Sequence, residues 1–315
     1  MKEKIQELIG VEIKENVSLK ECTTFKIGGP AKFFVRVNSP DLLYKALKAV
    51  KVLNLPFFIL GKGSNVLVAD SGFDGLVIKV ENGANEIDGQ IIKVFSGNVL
   101  GNIIREGLEH NLGGLEFAAN IPGTIGGAIW GNAGAYGKGI GDYIDEVEIF
   151  AIEEKEVIMK VLTKEECQFS YRHSIFKNKE NWVIAGAKLK LDKAEDGQKV
   201  LLEIQEEYKN RCAKQPLEFP SAGCTFKNVE YTSEMIKYER WMVNNKLPAA
   251  KLIEEAGMKG YKLGGAMVSD KHANFIINVN NATASDVIQL ISMVKLRVRD
   301  ELKIQLMEEV QYIGF

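Results

Sequence analysis

Residues 122–137 read PGTIGGAIWGNAGAYG, with six glycines in sixteen positions. Glycine loses more conformational freedom on folding than any other residue, so this density needs a reason. A flexible linker is one. The isoleucines, Trp130 and Tyr136 threaded through the run argue instead for a packed segment folded around something. Two further clusters lie upstream. ILGKGSNVLV (59–68) reads as strand, Gly-x-Gly-Ser-Asn turn, strand, and CTTFKIGGPA (22–31) is the other. Neither is a Walker loop, since no Gly-Lys-Ser/Thr occurs. Nor is 59–68 a dinucleotide fingerprint, because a strand and not a helix follows it. Taken singly, each cluster fits a glycine hairpin. Backbone amides in such turns can also converge on an anion, and three clusters without an acidic side chain suggest a long pyrophosphate-containing cofactor.

Bulk properties narrow the function. A chain of 315 residues has room for two or three domains. Lys+Arg 40 against Asp+Glu 42 leaves a net charge of −2, which argues against nucleic-acid or membrane-surface partners recognised by charge. The charged N-terminus has no signal-peptide core, and LNLPFFILG is far too short to span a bilayer. Cys22, Cys167, Cys212 and Cys224 are widely spaced with no CxxC pair, and the three histidines are dispersed. Neither a disulfide framework nor a metal site is expected, and a reducing cytoplasmic setting fits best.

Hydrophobic periodicity divides the chain. Residues 1–20 read as a short charged helix. KFFVRV, FFILG and LVIKV read as strands around a helix at PDLLYKALKAVKVLN. The stretch 196–212 reads as a helix with Leu202, Ile204 and Tyr208 inward. Two prolines in KQPLEFPSAG then place a domain boundary. Beyond it come a helix at AAKLIEEAG stopped by Gly257, a strand at ANFIINV, and a helix opening with TASD at Thr283. That last helix repeats apolar residues at Val287, Ile291, Val294 and Val298. A terminal strand, KIQLMEEVQYIG, closes the chain. PSAGCTFKN (220–228) reads as a tight turn carrying a thiol, Cys224.

TTFKIGGPA, GKGSNVLV and IPGTIGGAIWGNAGAYG resemble the flavin-binding segments of the UDP-N-acetylenolpyruvoylglucosamine reductases, also called UDP-N-acetylmuramate dehydrogenases. The likeness continues in order through FSYRHSIF, PSAGCTFKN, KLGGAMVSDKHANFIIN and EEVQYIG, so it covers nearly the whole chain. It implies an α+β fold: a two-lobed FAD-binding region of the vanillyl-alcohol-oxidase-like kind (1–80 and 81–214), a substrate-binding domain (215–300), and a last strand (301–315) returning to the flavin lobes. It also implies NADPH-dependent reduction of an enolpyruvyl UDP-sugar through FAD, for peptidoglycan synthesis, by a cytoplasmic monomer with a small-molecule substrate. No room remains between 257 and KLGGAMVS for a tyrosine-bearing insertion, which points to the shorter group of the family.

The resemblance assigns Thr24, Gly28 and Gly29 to FAD, with Gly61, Lys62, Gly63, Ser64 and Asn65 of the second cluster. The third cluster would contribute Pro122, Gly123, Thr124, Gly126, Gly127, Asn132, Gly134 and Ala135. Arg172 would hold the substrate carboxylate, as a forked and permanently charged guanidinium suits that group. Cys224 stands where many family members carry a serine that supplies the second proton. The change is chemically tolerable, because a free thiol (pKa about 8.5) is a far stronger acid than an alcohol. The closing strand offers two carboxylates. Alternation puts Glu308 among Ile304, Leu306, Val310 and Tyr312, while the family motif, with its glutamate directly before valine, points to Glu309. Tyr171, Lys227, Asn228, Lys262, Lys271 and His272 would face the substrate. Three other readings stay open at this point: a flavin oxidase or dehydrogenase of the same fold, a thiol hydrolase using Cys224 with His272 or His173, and a non-catalytic regulator that binds a UDP-sugar without redox chemistry.

Overall fold

The computed structural model describes residues 1–315, which fall into two compact units. Unit 1 comprises Met1–Val17, Ala31–Lys62 and Asp74–Tyr208. Unit 2 comprises Ser18–Pro30, Gly63–Phe73 and Lys209–Phe315. Both mix helix and strand, so the fold is α+β. No helix is long and apolar enough to cross a membrane.

Unit 1 is built on two sheets. The strands Lys14–Ser18, Pro30–Val37, Phe73–Val80 and Phe57–Leu60 lie side by side in that order, the last two parallel. The helix Pro40–Leu53 covers this sheet because its apolar residues recur at helical spacing. Leu43, Ala46, Leu47 and Val50 are all buried against Phe33, Val35, Leu76 and Ile78. Ser39 caps it by accepting from the amide of Leu42, Pro40 occupies its first turn, and Asn54 ends it in the left-handed region. The second sheet is fully antiparallel, in the order Val157–Thr163, Ile144–Ile152, Trp182–Lys190, Ile91–Phe95, Asn85–Asp88. Its inner face packs on the helices Leu100–Glu109 and Ile125–Gly131 through Ile92, Val147, Leu189, Ile103 and Ile129.

Unit 2 holds an antiparallel sheet in the order Ser221–Cys224, Phe275–Asn278, Ala266–Val268, Lys262–Leu263. The helix Ala284–Leu302 crosses it with Val287, Ile291, Val294 and Val298 buried, as the sequence spacing predicts. Its capping box is present: the Asp286 amide donates to Thr283 Oγ1 (3.0 Å) and the Thr283 amide to Asp286 Oδ2 (3.0 Å). Asp70 reinforces this end by accepting from the amides of Ala284 (2.8 Å) and Ser285 (3.1 Å). Replacing Thr283 with Ala should therefore cost unit 2 about 1 kcal/mol, read as a lower denaturant midpoint with an unchanged slope. The Asp286 carboxyl is held below its ordinary value of 3.8, first by the Thr283 amide. Its contribution is thus fully present above that value and is lost as pH falls from it through the lowered native-state one.

Several expectations need correction. The N-terminal helix is only Lys2–Ile9, because Gly10 (φ 84°) closes it and the Gly10 amide returns to Gln6 O; a strand at Lys14–Ser18 follows. In the helix Gly197–Lys214, Leu202 (66% exposed) and Tyr208 (49%) face solvent, and the inward stripe is Val200, Leu201 and Ile204. The terminal strand is confined to Gln311–Ile313. Finally, 59–68 is no hairpin. Phe57–Leu60 belongs to the first sheet of unit 1, whereas Val66–Val68 runs parallel to Gln311–Ile313 in unit 2.

Candidate active site

In unit 1 the third glycine cluster is not a plain loop: Ile125–Gly131 forms a short helix. Thr124 is buried and caps it, accepting from the Gly127 amide (3.3 Å). Gly61 lies against this cap so closely that a Cβ there would sit 2.5 Å from Thr124 Oγ1. Lys79 also donates to the Gly61 carbonyl. Asn132 closes the helix in the left-handed region, and its side chain is engaged on both sides. Its Nδ2 donates to Ser170 O (2.8 Å) and its Oδ1 accepts from the Gly141 amide (3.0 Å). Ala135 and Gly134 pair with Lys138 and Gly139, and Arg172 Nη1 donates to Gly134 O (2.9 Å). Arg172, half-buried, therefore stands on the glycine cluster itself, with its guanidinium carbon 5.5 Å from the Tyr171 ring centroid.

Unit 2 gathers three of the other motifs. The Thr24 amide donates to Gly63 O (3.1 Å), while its hydroxyl points to Ser221 O (2.7 Å) and Gly63 O (3.3 Å). The Gly29 amide donates to Ala69 O (2.9 Å), and a Cβ on Gly29 would lie 2.2 Å from Asp70 O. Cys224, expected on an exposed turn, ends the strand Ser221–Cys224 opposite Phe275 and is half-buried. A register shift between Ser221 and Cys224, with Gly223 at φ 78°, bulges the strand just before the thiol; bulges re-aim side chains in this way.

Past Cys224 the chain runs antiparallel to residues 307–309. The Lys227 amide donates to Met307 O (2.9 Å), Phe226 bridges Glu308, and the Glu309 amide donates to Thr225 O (2.8 Å). Glu309 is thereby fixed opposite the residue after Cys224. Its carbonyl also accepts from Asn65 Nδ2 (3.1 Å) and Gln311 Nε2 (3.2 Å). Glu308 is paired with Lys295 (2.8 Å) on the long helix. Downstream, burial, with a smaller push from Glu308, raises the Tyr312 phenol to about 12.

The remaining candidates are more dispersed in role. Asn228 Oδ1 accepts from the Ala249 amide (3.1 Å), at the start of the helix Ala249–Glu255. Lys271 is paired with Glu218 (3.0 Å) and also donates to Cys212 O (3.0 Å). Burial lowers the His272 pKa, and the ring packs edge-on against Phe275 at 5.0 Å. Lys62 and Lys262 are exposed. Cys167 is fully buried, and burial with Glu166 and Glu165 pushes its thiol up to about 12, which leaves it inert as a nucleophile. Asn274, within the KLGGAMVSDKHANFIIN motif, does structural work. Buried, it accepts from the Phe226 amide (2.9 Å) and donates to Phe226 O (2.8 Å), pinning the chain just beyond Cys224.

The glycine segments suit a pyrophosphate-bearing cofactor. Neither 61–65 nor 122–137 contains a carboxylate, and hydroxyls and amides are supplied by Ser64, Asn65 and Thr124. On the open side of the short helix, a Cβ at Gly131 would meet nothing within 4 Å. Ser96 Oγ, beside Gly126, is buried with no hydrogen-bond partner in the protein.

Residues 31–157 match the family described as FAD binding domain, and residues 215–313 match UDP-N-acetylenolpyruvoylglucosamine reductase, C-terminal domain. A reductase of that name from Caldanaerobacter subterraneus is 40% identical over 300 residues, 95% of this chain and 93% of that protein. The chain belongs to the UDP-N-acetylenolpyruvoylglucosamine reductase family. A second reductase, from Carboxydothermus hydrogenoformans, is 39% identical over 318 residues, covering 100% of this chain and 98% of its own. The crystal structure of the Thermus caldophilus reductase superposes with a TM-score of 0.75 at 30% identity, covering 96% of this chain and all of that one. Membership makes the protein a flavin-dependent oxidoreductase, and it removes the thiol-hydrolase reading of Cys224.

Proposed function

We propose that the protein reduces UDP-N-acetylglucosamine enolpyruvate to UDP-N-acetylmuramate with NADPH, a step in cytoplasmic peptidoglycan precursor synthesis. The observation that carries this reading is the pairing of residues 225–227 with 307–309, which fixes Glu309 beside the thiol-bearing strand. Bound FAD would supply the two-electron chemistry that links the nicotinamide to the vinyl group, held by the segments around Gly61–Asn65 and Thr124–Gly134.

The protein's own residues take three tasks. Arg172 binds the substrate carboxylate through its fork and neutralises the charge that spreads onto it as the double bond is reduced. Glu309 hydrogen-bonds the same carboxylate region. Cys224 Sγ–H delivers the proton to the carbon bearing the carboxylate. Glu308 is left to its ion pair with Lys295.

The test is an anaerobic absorbance titration of the purified holoprotein. Flavin bands should bleach on addition of NADPH and recover on addition of the enolpyruvyl sugar nucleotide. Bands that recover only with oxygen, and not with the sugar nucleotide, would overturn the substrate assignment and favour an oxidase. Failure to bleach with NADPH would overturn the choice of reductant.

A further inference from the structure

Arg172 sits in an awkward place for an arginine. The Ser170 and His173 amides donate to each other's carbonyls, both at 3.1 Å, closing a four-residue turn with Arg172 in its third position. Its φ of 53° lies in the left-handed region, where a Cβ-bearing residue is strained. Three bonds fasten this turn to the glycine cluster: Asn132 Nδ2 to Ser170 O (2.8 Å), Arg172 Nη1 to Gly134 O (2.9 Å), and Ser174 Oγ to Trp130 O (2.7 Å). They act at residues 170, 172 and 174, so each is separated from the next by one residue.

A fourth contact carries a charge on its donor. Lys177 Nζ donates to the Arg172 carbonyl (2.8 Å) and lies 4.6 Å from the Trp130 ring centroid. Trp130 belongs to the short helix of the glycine cluster. One ammonium thus bonds the peptide that sets the direction of the Arg172 side chain and rests on the aromatic face of the segment beneath it. A charged donor on that carbonyl is stronger than a neutral one and opposes relaxation of the peptide out of the left-handed region.

We propose that Lys177 is a positioning residue for Arg172: it locks the strained turn so that the guanidinium keeps the geometry required to hold a carboxylate. The inference rests on the assignment of Arg172 as the carboxylate-binding cation. It differs from a general stabilising role in that the effect of Lys177 must pass through the Arg172 side chain.

A double-mutant cycle on the holoenzyme tests it, with flavin content and thermal midpoint checked for each variant. Lys177→Met should lower kcat/KM for the enolpyruvyl sugar nucleotide by about 10–100-fold, the scale of a small misplacement. Lys177→Arg, which can both donate to the carbonyl and stack on Trp130, should recover most of that loss. In an Arg172→Ala background, Lys177→Met should cost less than about twofold, because its target is already gone. Wild-type kinetics in Lys177→Met would overturn the proposal, as would an undiminished cost in the Arg172→Ala background. Full turnover in Arg172→Ala alone would instead sink the assignment of Arg172, and the positioning role with it. If Lys177→Met fails to retain flavin, Lys177→Gln keeps a neutral donor for the same cycle.

Discussion

Replacing Cys224 with Ala should lower kcat for reduction of the enolpyruvyl sugar nucleotide by about 10³-fold, within the usual range for loss of a positioned proton donor. Alanine removes the only proton that Sγ offers while keeping the strand, because the bulge before residue 224 depends on Gly223 and the pairing beyond it on Asn274. Flavin content and bleaching by NADPH should survive, so the loss falls in the second half of the cycle. Cys224→Ser should stay within about tenfold of the wild type, since a hydroxyl can donate at the same position with weaker acidity. Iodoacetamide gives a second readout. Half-buried Cys224 should be alkylated with loss of turnover, whereas fully buried Cys167, its thiol raised to about 12, should remain unlabelled in the native protein. An alanine variant turning over within tenfold of wild type would remove Cys224 from the chemistry.

What could be read from sequence was mostly local. The Thr283 capping box and the Val287–Val298 stripe depend on residues a few positions apart, and both are present. The glycine clusters were legible as a group for a related reason: their cost is intrinsic to the residue and calls for a cause wherever they occur. Long-range pairing was not legible. Val66–Val68 finds its partner at Gln311–Ile313, so the Gly-Ser-Asn turn joins two different sheets, which no local pattern reveals. Strand alternation over 304–312 singles out Glu308, in phase with buried Ile304, Leu306 and Val310, and says nothing of Glu309. Residues 307–309 pair with 225–227, then the chain switches to Val66–Val68, and the face that is buried changes: Val310 and Ile313 are both inward. Leu202 and Tyr208 misled because a helix packed along one narrow stripe can carry apolar residues on its open side.

Arg172 should show a dissociation between stability and activity. Arg172→Ala is expected to lower kcat/KM by about 10²–10³-fold, the effect of removing one preorganised charge or donor from a developing anion. Arg172→Lys keeps the charge but loses the fork and its bond to Gly134 O, so it should recover only part of the loss. The backbone makes a separate demand. At φ 53° a Cβ is unfavourable, and Gly removes it. Arg172→Gly should thus be more stable than Arg172→Ala by about 1 kcal/mol, the cost of a left-handed residue with a side chain, while being just as inactive. A glycine variant no more stable than the alanine variant would show that the turn stores no strain. A glycine variant with native turnover would show that the guanidinium is not the cation the substrate carboxylate meets. Together the three substitutions separate the charge of Arg172, its forked geometry and its backbone strain, and the strain should register only in stability here because the glycine and alanine variants both lack the guanidinium.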